Sequence, residues 1–225
     1  MSLFVAAQAG LAFPLPLSEK YRPHSMDEFV GLDKAKRVLS KFLASPFPTT
    51  FLFSGPSGTG KTSMGIVLGE SLNAELHHIA SQECNVANID AVLAQCNRSP
   101  YRFFGENAGP ANWHLVLVDE ADRMSNAAQL KFLSALDATG FPPQTIFVFT
   151  CNATDGLEPR FLSRCMELRF SSQGMAQPTA ELLAQVWSKE AGETAETPNF
   201  LRLVQDCKNN VRDAVNSLQV ELLAL

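Results

Sequence analysis

Eight residues, Gly55-Pro56-Ser57-Gly58-Thr59-Gly60-Lys61-Thr62, carry the densest chemistry in the sequence. Their spacing is G-x-x-x-x-G-K-[ST], in which glycines let successive backbone N–H groups converge on phosphate oxygens where a helix begins. Lys61 is placed to reach the β- and γ-phosphates of a nucleoside triphosphate, and the Thr62 hydroxyl to ligate Mg²⁺, with Ser63 following on the same turn. Further on, the apolar run His114-Leu-Val-Leu-Val ends in Asp119-Glu120-Ala-Asp122. A buried parallel strand that stops on acids delivers carboxylates to the sheet edge where ligands bind. Asp119 is read as the Mg²⁺ carboxylate and Glu120 as the group that orients and deprotonates the attacking water, with Asp122 next in line. A third run, Thr145-Ile-Phe-Val-Phe-Thr150-Cys-Asn152, ends in polar groups, and Asn152 can reach the γ-phosphate or that water if its strand lies beside the other two.

Positioning these groups requires alternating strands and helices, which is what the pattern predicts. Asp33 to Leu43 has apolar residues at helical spacing, and Thr49 to Phe53 is a short apolar strand immediately before the glycine-rich turn. A helix over Thr62 to Leu72, a strand over Leu76 to Ala80 and a helix over Val86 to Gln95 follow. Strands over Leu115–Val118, Thr145–Thr150 and Met166–Phe170 complete the pattern, with helix over Ala127–Leu136 and a short segment Glu158–Ser163 between them. The expected fold is α/β: a mostly parallel five-stranded sheet covered on both faces. From Ser171 the texture changes. Ser-Ser-Gln-Gly and Pro178 interrupt the chain, and three helical patterns follow over Ala180–Lys189, Phe200–Asp206 and Val211–Leu223. We therefore divide the chain into an extension (1–18), a nucleotide-binding αβα domain (19–172) and a helical unit (173–225). At about fifty residues the last is too small to be secure alone and should dock on the domain before it.

Together these residues resemble an AAA+ ATPase of the clamp-loader family, close to its small subunits, over about residues 17–220. Glu19-Lys20-Tyr21-Arg22-Pro23 followed by Phe29-Val30-Gly31 is similar to the segment that runs past the adenine, which implies Tyr21, Arg22 and Val30 as nucleotide contacts. Asn152 falls on the sensor-1 position. Ser163-Arg164-Cys165 resembles the Ser-Arg-Cys motif whose arginine reaches a neighbouring subunit's ATP, with Arg160 as the fallback four residues earlier. Asn209-Asn210-Val211-Arg212 looks like the start of the lid's sensor-2 helix, with Arg212 as its arginine. The resemblance implies a P-loop NTPase αβα sandwich with an all-helical lid, binding ATP and Mg²⁺ and hydrolysing it with help from a neighbour. It further implies association with related subunits through ATP-bridged interfaces, a sliding clamp and primed DNA as partners in a complex, and a place in DNA replication or a mobile-element replication system. A scaffold that binds ATP with little turnover is the alternative, and Glu120 is the feature against it.

Two departures shape the expectations. Family small subunits continue into a helical collar, whereas this sequence stops at Leu225, so a monomer or weak oligomer that associates more with ATP bound is expected. The helix after Asp122 has a single lysine, Lys131, where the family is basic toward DNA. With 18 Lys+Arg against 23 Asp+Glu, the net charge is −5, so the chain as a whole does not advertise a nucleic-acid or anionic-membrane surface. The basic run Lys34, Lys36, Arg37 and Lys41 reads as a solvated helix face. With 46% hydrophobic and 18% charged residues the chain should bury a sizeable core. The five scattered cysteines, without a Cys-x-x-Cys or paired Cys/His spacing, predict a reducing cytoplasm and no metal cluster. His77 and His78, with no third ligand nearby in sequence, read as packing and surface groups, and Trp113 and Trp187 as packing residues. The uncharged first eighteen residues are interrupted by Pro14 and Pro16 and lack a basic start, so they are read as an extension packed on the domain; no stretch is long and apolar enough to span a bilayer.

Overall fold

The computed structural model describes residues 15–102, 108–191 and 196–225; of the expected extension, residues 1–14 lie outside them. A short helix α1 (Leu17–Lys20) leads to α2 (Asp33–Ala44), strand β1 (Thr49–Ser54) and helix α3 (Lys61–Ser71). Then come β2 (Ala74–Ile79), α4 (Val86–Cys96), a small hairpin of β3 (Tyr101–Arg102) and β4 (Gly109–Pro110), and β5 (Trp113–Val118). Helix α5 (Asn126–Ala135), β6 (Thr145–Cys151), α6 (Pro159–Leu162) and β7 (Met166–Arg169) complete the sheet region, and α7 (Ala176–Glu190), α8 (Phe200–Asp206) and α9 (Val211–Leu223) follow.

The five longer strands form one parallel sheet in the order β2-β5-β6-β1-β7. Parallel neighbours cannot be joined by tight turns, so helices cross both faces and bury both. On one face Phe51, Phe53, Leu117 and Val148 pack with Ala35, Leu39, Met64 and Leu68 from α2 and α3. On the other, Leu52, Val116, Phe147 and Phe149 pack with Ile89 of α4, Phe132 of α5 and Phe161 of α6. Phe132 meets Phe149 edge-to-face at 4.9 Å and Phe161 meets it at 4.8 Å, a geometry that adds about 0.5–1.5 kcal/mol per pair beyond burial. Because β1 lies inside the sheet, the loop leaving it opens between the ends of β6 and β7.

Helices α7 to α9 have their own core, Leu183, Val186, Trp187, Val204, Ala214 and Leu218, into which Leu17 of α1 also inserts. The Leu17 backbone N–H donates to the Gln219 side chain at 3.0 Å, so the segment before the sheet is tied to the last helix. Asn199 and Asn210 cap α8 and α9 by accepting from the N–H three residues on. Helix α7 starts four residues before the sequence pattern suggested. Pro178 lies in its first turn, where the missing N–H has no intrahelical partner to lose, so it does not break the helix. The β3–β4 hairpin was not expected either, since two-residue strands carry no period.

All five cysteines are free. Among the described residues no helix is long and apolar enough to cross a membrane.

Candidate nucleotide-binding site

The turn after β1 wraps over the C-terminal edge of the sheet, and its shape depends on glycine. At Gly55, φ is +142° and an added Cβ would stand 1.9 Å from the Phe170 carbonyl oxygen; at Gly58, φ is +73° and a Cβ would meet the Asn210 side chain at 1.8 Å. The first approach seats the loop on the sheet, and the second lets the lid touch it. Lys61 heads α3 with its ammonium turned back into the loop, donating to the Gly55 and Pro56 carbonyls at 2.6 and 2.8 Å and to Asn152 Oδ1 at 3.1 Å. Thr59 closes the turn by donating to the Pro56 carbonyl at 2.8 Å. Burial holds Lys61 below the usual lysine range because few opposite charges offset its desolvation.

Beside it lies a network centred on Asp119 at the end of β5. Its Oδ1 accepts from Thr62 Oγ1 at 2.8 Å and from Thr150 Oγ1 at 3.0 Å, and its Oδ2 lies 2.7 Å from His78 Nε2. Burial would raise the Asp119 pKa, yet the hydrogen bonds from His78, Thr62 and Thr150 outweigh it and keep the carboxyl below its ordinary value. The next residue, Glu120, has a left-handed backbone, φ 51°. Its N–H donates to Thr150 Oγ1 at 3.2 Å, while its carboxylate accepts from Ser81 at 3.2 Å and pairs with Arg123 at 3.1 Å. That pair is exposed, at 67% and 44% of the side-chain surfaces, a class worth at most about 1 kcal/mol, so it does not lock Glu120. A cavity of about 390 Å³ runs over these groups from Ser57 and Lys61 to Glu120 and Asn152. Thr62 and Asp119 offer it an all-oxygen donor pair, which fits a hard cation such as Mg²⁺.

A second cavity of about 200 Å³ continues from the loop toward the lid, lined among others by Tyr21, Arg22, Val30, Thr59, Ser63, Met175, Val215 and Arg212. Arg22, Gly58, Gly60 and Arg212 border both cavities, making one cleft with a polar end and a more apolar end. Arg22 donates to Ser63 Oγ at 3.2 Å. Tyr21 donates its hydroxyl to Glu190 of α7.

Residues 51–173 match the family described as the ATPase family associated with various cellular activities (AAA), more than half of the chain. The chain belongs to the AAA family. Among AAA relatives, it is 32% identical over 204 residues to replication factor C small subunit 1 of Pyrobaculum islandicum and 31% identical over 210 residues to replication factor C subunit 3 of Blastobotrys adeninivorans. These alignments take in 90% and 91% of this chain but 60% of each relative, so the chain spans less than two thirds of their length. The fold is also that of Thermotoga maritima RuvB, with a TM-score of 0.71 at 18% identity for one variant, covering 91% of this chain and 72% of that one.

Within this AAA fold the sequence-expected residues other than Arg164 fall in three groups. Ser57, Gly58, Gly60, Lys61, Thr62, Asp119, Glu120, Asn152 and Arg212 surround the polar end of the cleft, and Tyr21, Arg22, Val30, Thr59 and Ser63 surround the other. Gly55 and Pro56 form the loop floor through their carbonyls. Arg164 is elsewhere: it lies past α6, donating through Nε and Nη2 to Asp137 Oδ1 at 2.9 and 2.6 Å and through Nη1 to the Arg160 carbonyl at 2.8 Å. It borders neither cavity of its own chain. Sequence reasoning missed Thr150 and Ser81, and read His77 and His78 together as packing and surface groups. Partial exposure does leave His78 at the surface, but the β2–β5 register sets it beside Asp119, a neighbour that only strand pairing reveals.

Proposed function

We propose that this chain binds ATP with Mg²⁺ in the cleft and hydrolyses it once a neighbouring subunit supplies an arginine. The observation that carries this reading is the cluster in which Thr62, Thr150 and His78 converge on Asp119 directly beside Lys61 and Asn152. Mg²⁺, when bound, would neutralise phosphate charge, with Thr62 and Asp119 holding it. The residues themselves do the rest. Lys61 exchanges the Gly55 and Pro56 carbonyls for phosphate oxygens, backbone N–H groups of residues 57–62 surround those oxygens, and Arg212 brings a second cation from the lid. Asn152 positions the γ-phosphate or the water beside it. Glu120, released from Arg123, takes the proton of the attacking water; this division of labour, positioning plus charge neutralisation, is the one phosphoryl transfer needs. The apolar end, bordered by Val30, Met175 and Val215, suits the base.

The relatives' names place them in replication factor C, and we propose for this chain the corresponding role: one subunit of a clamp-loader-like complex in cellular or mobile-element DNA replication, with a sliding clamp and primed DNA as partners. Glu120→Gln tests the chemistry. ATP affinity by calorimetry should stay within twofold of wild type, while turnover should fall about 10²–10⁴-fold, the usual contribution of a general base. Wild-type turnover in that variant would pass the role to another group, Asp122 first; equal loss of binding would make Glu120 a structural residue.

A further inference from the structure

Where the edge strand β2 pairs with β5, these strands and the last turn of α4 bring three metal-ligating side chains together. His77, Cys96 and His114 are 8%, 0% and 1% exposed, and their ligand atoms all lie within 4.8 Å of one another. His77 Nε2 stands 3.0 Å from His114 Nδ1. The Glu75 carboxylate, register partner of His114, lies 3.3 Å from His114 Nδ1 and 3.9 Å from His77 Nε2.

The hydrogen bonding of this group turns on which ring nitrogens carry the protons. His114 Nε2 is 2.9 Å from the Arg98 carbonyl, which can only accept, so in the neutral ring the proton is on Nε2 and Nδ1 presents a lone pair. That lone pair faces His77 Nε2, which carries a proton in one tautomer of the neutral ring, and a carboxylate oxygen, which carries none. Gln95 hydrogen-bonds His77 as well, and with Nε2 facing His114 the nitrogen left for it is Nδ1. Where the Gln95 amide oxygen accepts from His77 Nδ1–H, both rings point lone pairs at one spot, beside a thiol and a carboxylate; where its NH2 donates to Nδ1, His77 Nε2–H bonds His114 instead. A ring N–H donating to a backbone carbonyl is also the arrangement that orients histidine ligands on metals.

We propose that His77, His114 and Cys96, with Glu75 as the fourth donor, form a buried structural site for a tetrahedral, borderline-soft divalent cation, zinc being the one whose ligand preferences match. Imidazole nitrogen, thiolate sulfur and carboxylate oxygen are each zinc ligands, and about 2.0–2.3 Å from a tetrahedral ion such donors stand about 3.3–3.8 Å apart, within side-chain adjustment of the positions seen. The alternative is a site without an ion, in which neutral His77 donates Nε2–H to His114 Nδ1. The Cys96 thiol would release its proton as a cation takes the sulfur. The bound ion would pin the C-terminal end of α4 to the edge strand β2, independently of nucleotide.

The decisive measurement uses the intact wild-type chain, stripped with a chelator and titrated with Co²⁺. Binding at this site gives intense visible d–d bands of a tetrahedral ion and a near-ultraviolet thiolate-to-cobalt charge-transfer band; zinc then displaces cobalt at one equivalent per chain and raises the melting temperature. His114→Gln and Cys96→Ser should each lower zinc affinity by at least about 100-fold, beyond what loss of an outer-shell partner costs. Asp119→Asn, which disturbs the cleft, should leave the charge-transfer band intact. A wild-type chain with no such band and less than about a tenth of an equivalent of tightly held zinc would overturn the site and leave a hydrogen bond between two neutral rings. A band that persists in Cys96→Ser would overturn it too, since the sulfur would then come from another cysteine.

Discussion

Lys61 spends its charge on two backbone carbonyls and Asn152 in a place where burial disfavours that charge. A nucleotide's phosphates offer full opposite charges and so a better partner. Removing the ammonium forfeits a charge-assisted contact of about 1.5–3 kcal/mol, so Lys61→Ala should raise the ATP dissociation constant about 10- to 150-fold. Calorimetry checks this, and an unchanged affinity would mean that the loop holds no phosphate. Asp119 differs from Lys61 in that its hydrogen bonds overcome its burial. It remains ionised at neutral pH without a metal, so Thr62 and Asp119 are poised together before any cation arrives.

At the scale of elements, α1 links the sheet region to α7 by Tyr21 and Lys20 converging on Glu190. Desolvation, then the hydrogen bond to Glu190 and its charge, push the Tyr21 phenol from 10.0 up to about 12. A raised pKa means the neutral form is the stabilised one. The contribution of this contact is complete below pH 10 and fades as pH rises from about 10 to about 12. An ultraviolet titration of wild type minus Tyr21→Phe should show the phenol ionising near 12, and Glu190→Gln should bring it down toward 10; a midpoint near 10 in the wild-type difference would show that α1 is not latched to α7. Helix α5 offers DNA little. Its one lysine, Lys131, is paired with Asp90, and Leu130 is exposed, whereas Lys34, Arg37 and Lys41 of α2 face solvent. Affinity for duplex scales with the phosphates neutralised, so the isolated chain should show weak duplex binding in a gel shift at about 150 mM salt. A tight complex there would point to α2, and charge-removing variants of those three residues would locate it.

For the whole molecule, the arginine proposed to complete a neighbour's site stands outside the lining of its own chain's cleft. Arg164 rests on Asp137 and lines neither cavity, which suits a group that acts on a neighbour. Such a finger contributes about 10³–10⁵ in rate, far more than the exposed Arg164–Asp137 pair would cost to break. Specific ATPase activity should therefore rise with protein concentration, and association should increase when ATP is bound. Mixing tests the assignment. Glu120→Gln supplies an arginine but no base, and Arg164→Ala supplies a base but no arginine, so the mixture should recover activity that each lacks alone. Rates that only sum, or wild-type activity in Arg164→Ala, would remove Arg164 from this role and make Arg160 the next candidate.

Much of this architecture is local in origin and was legible without coordinates. The β-α alternation, the glycine-rich turn at the end of an apolar strand and the acids ending a second one are all short-range patterns, and the five parallel strands and helices α8 and α9 lie where periodicity predicts them. Helix-to-loop boundaries were less legible, as Pro178 shows, because a proline in a first turn and one that ends a helix look alike in sequence. What the sequence could not contain was strand order. It is the pairing of β2 with β5 that puts His78 on Asp119, and the insertion of β6 beside β5 that brings Thr150 to the same carboxylate. The same pairing gathers His77, Cys96 and His114, three residues from three elements, into one buried group that no ligand spacing along the chain announces. Motif spacing reports contacts within a turn or two of backbone, whereas side chains brought together by a sheet are set by register, and register is decided only when the whole core packs.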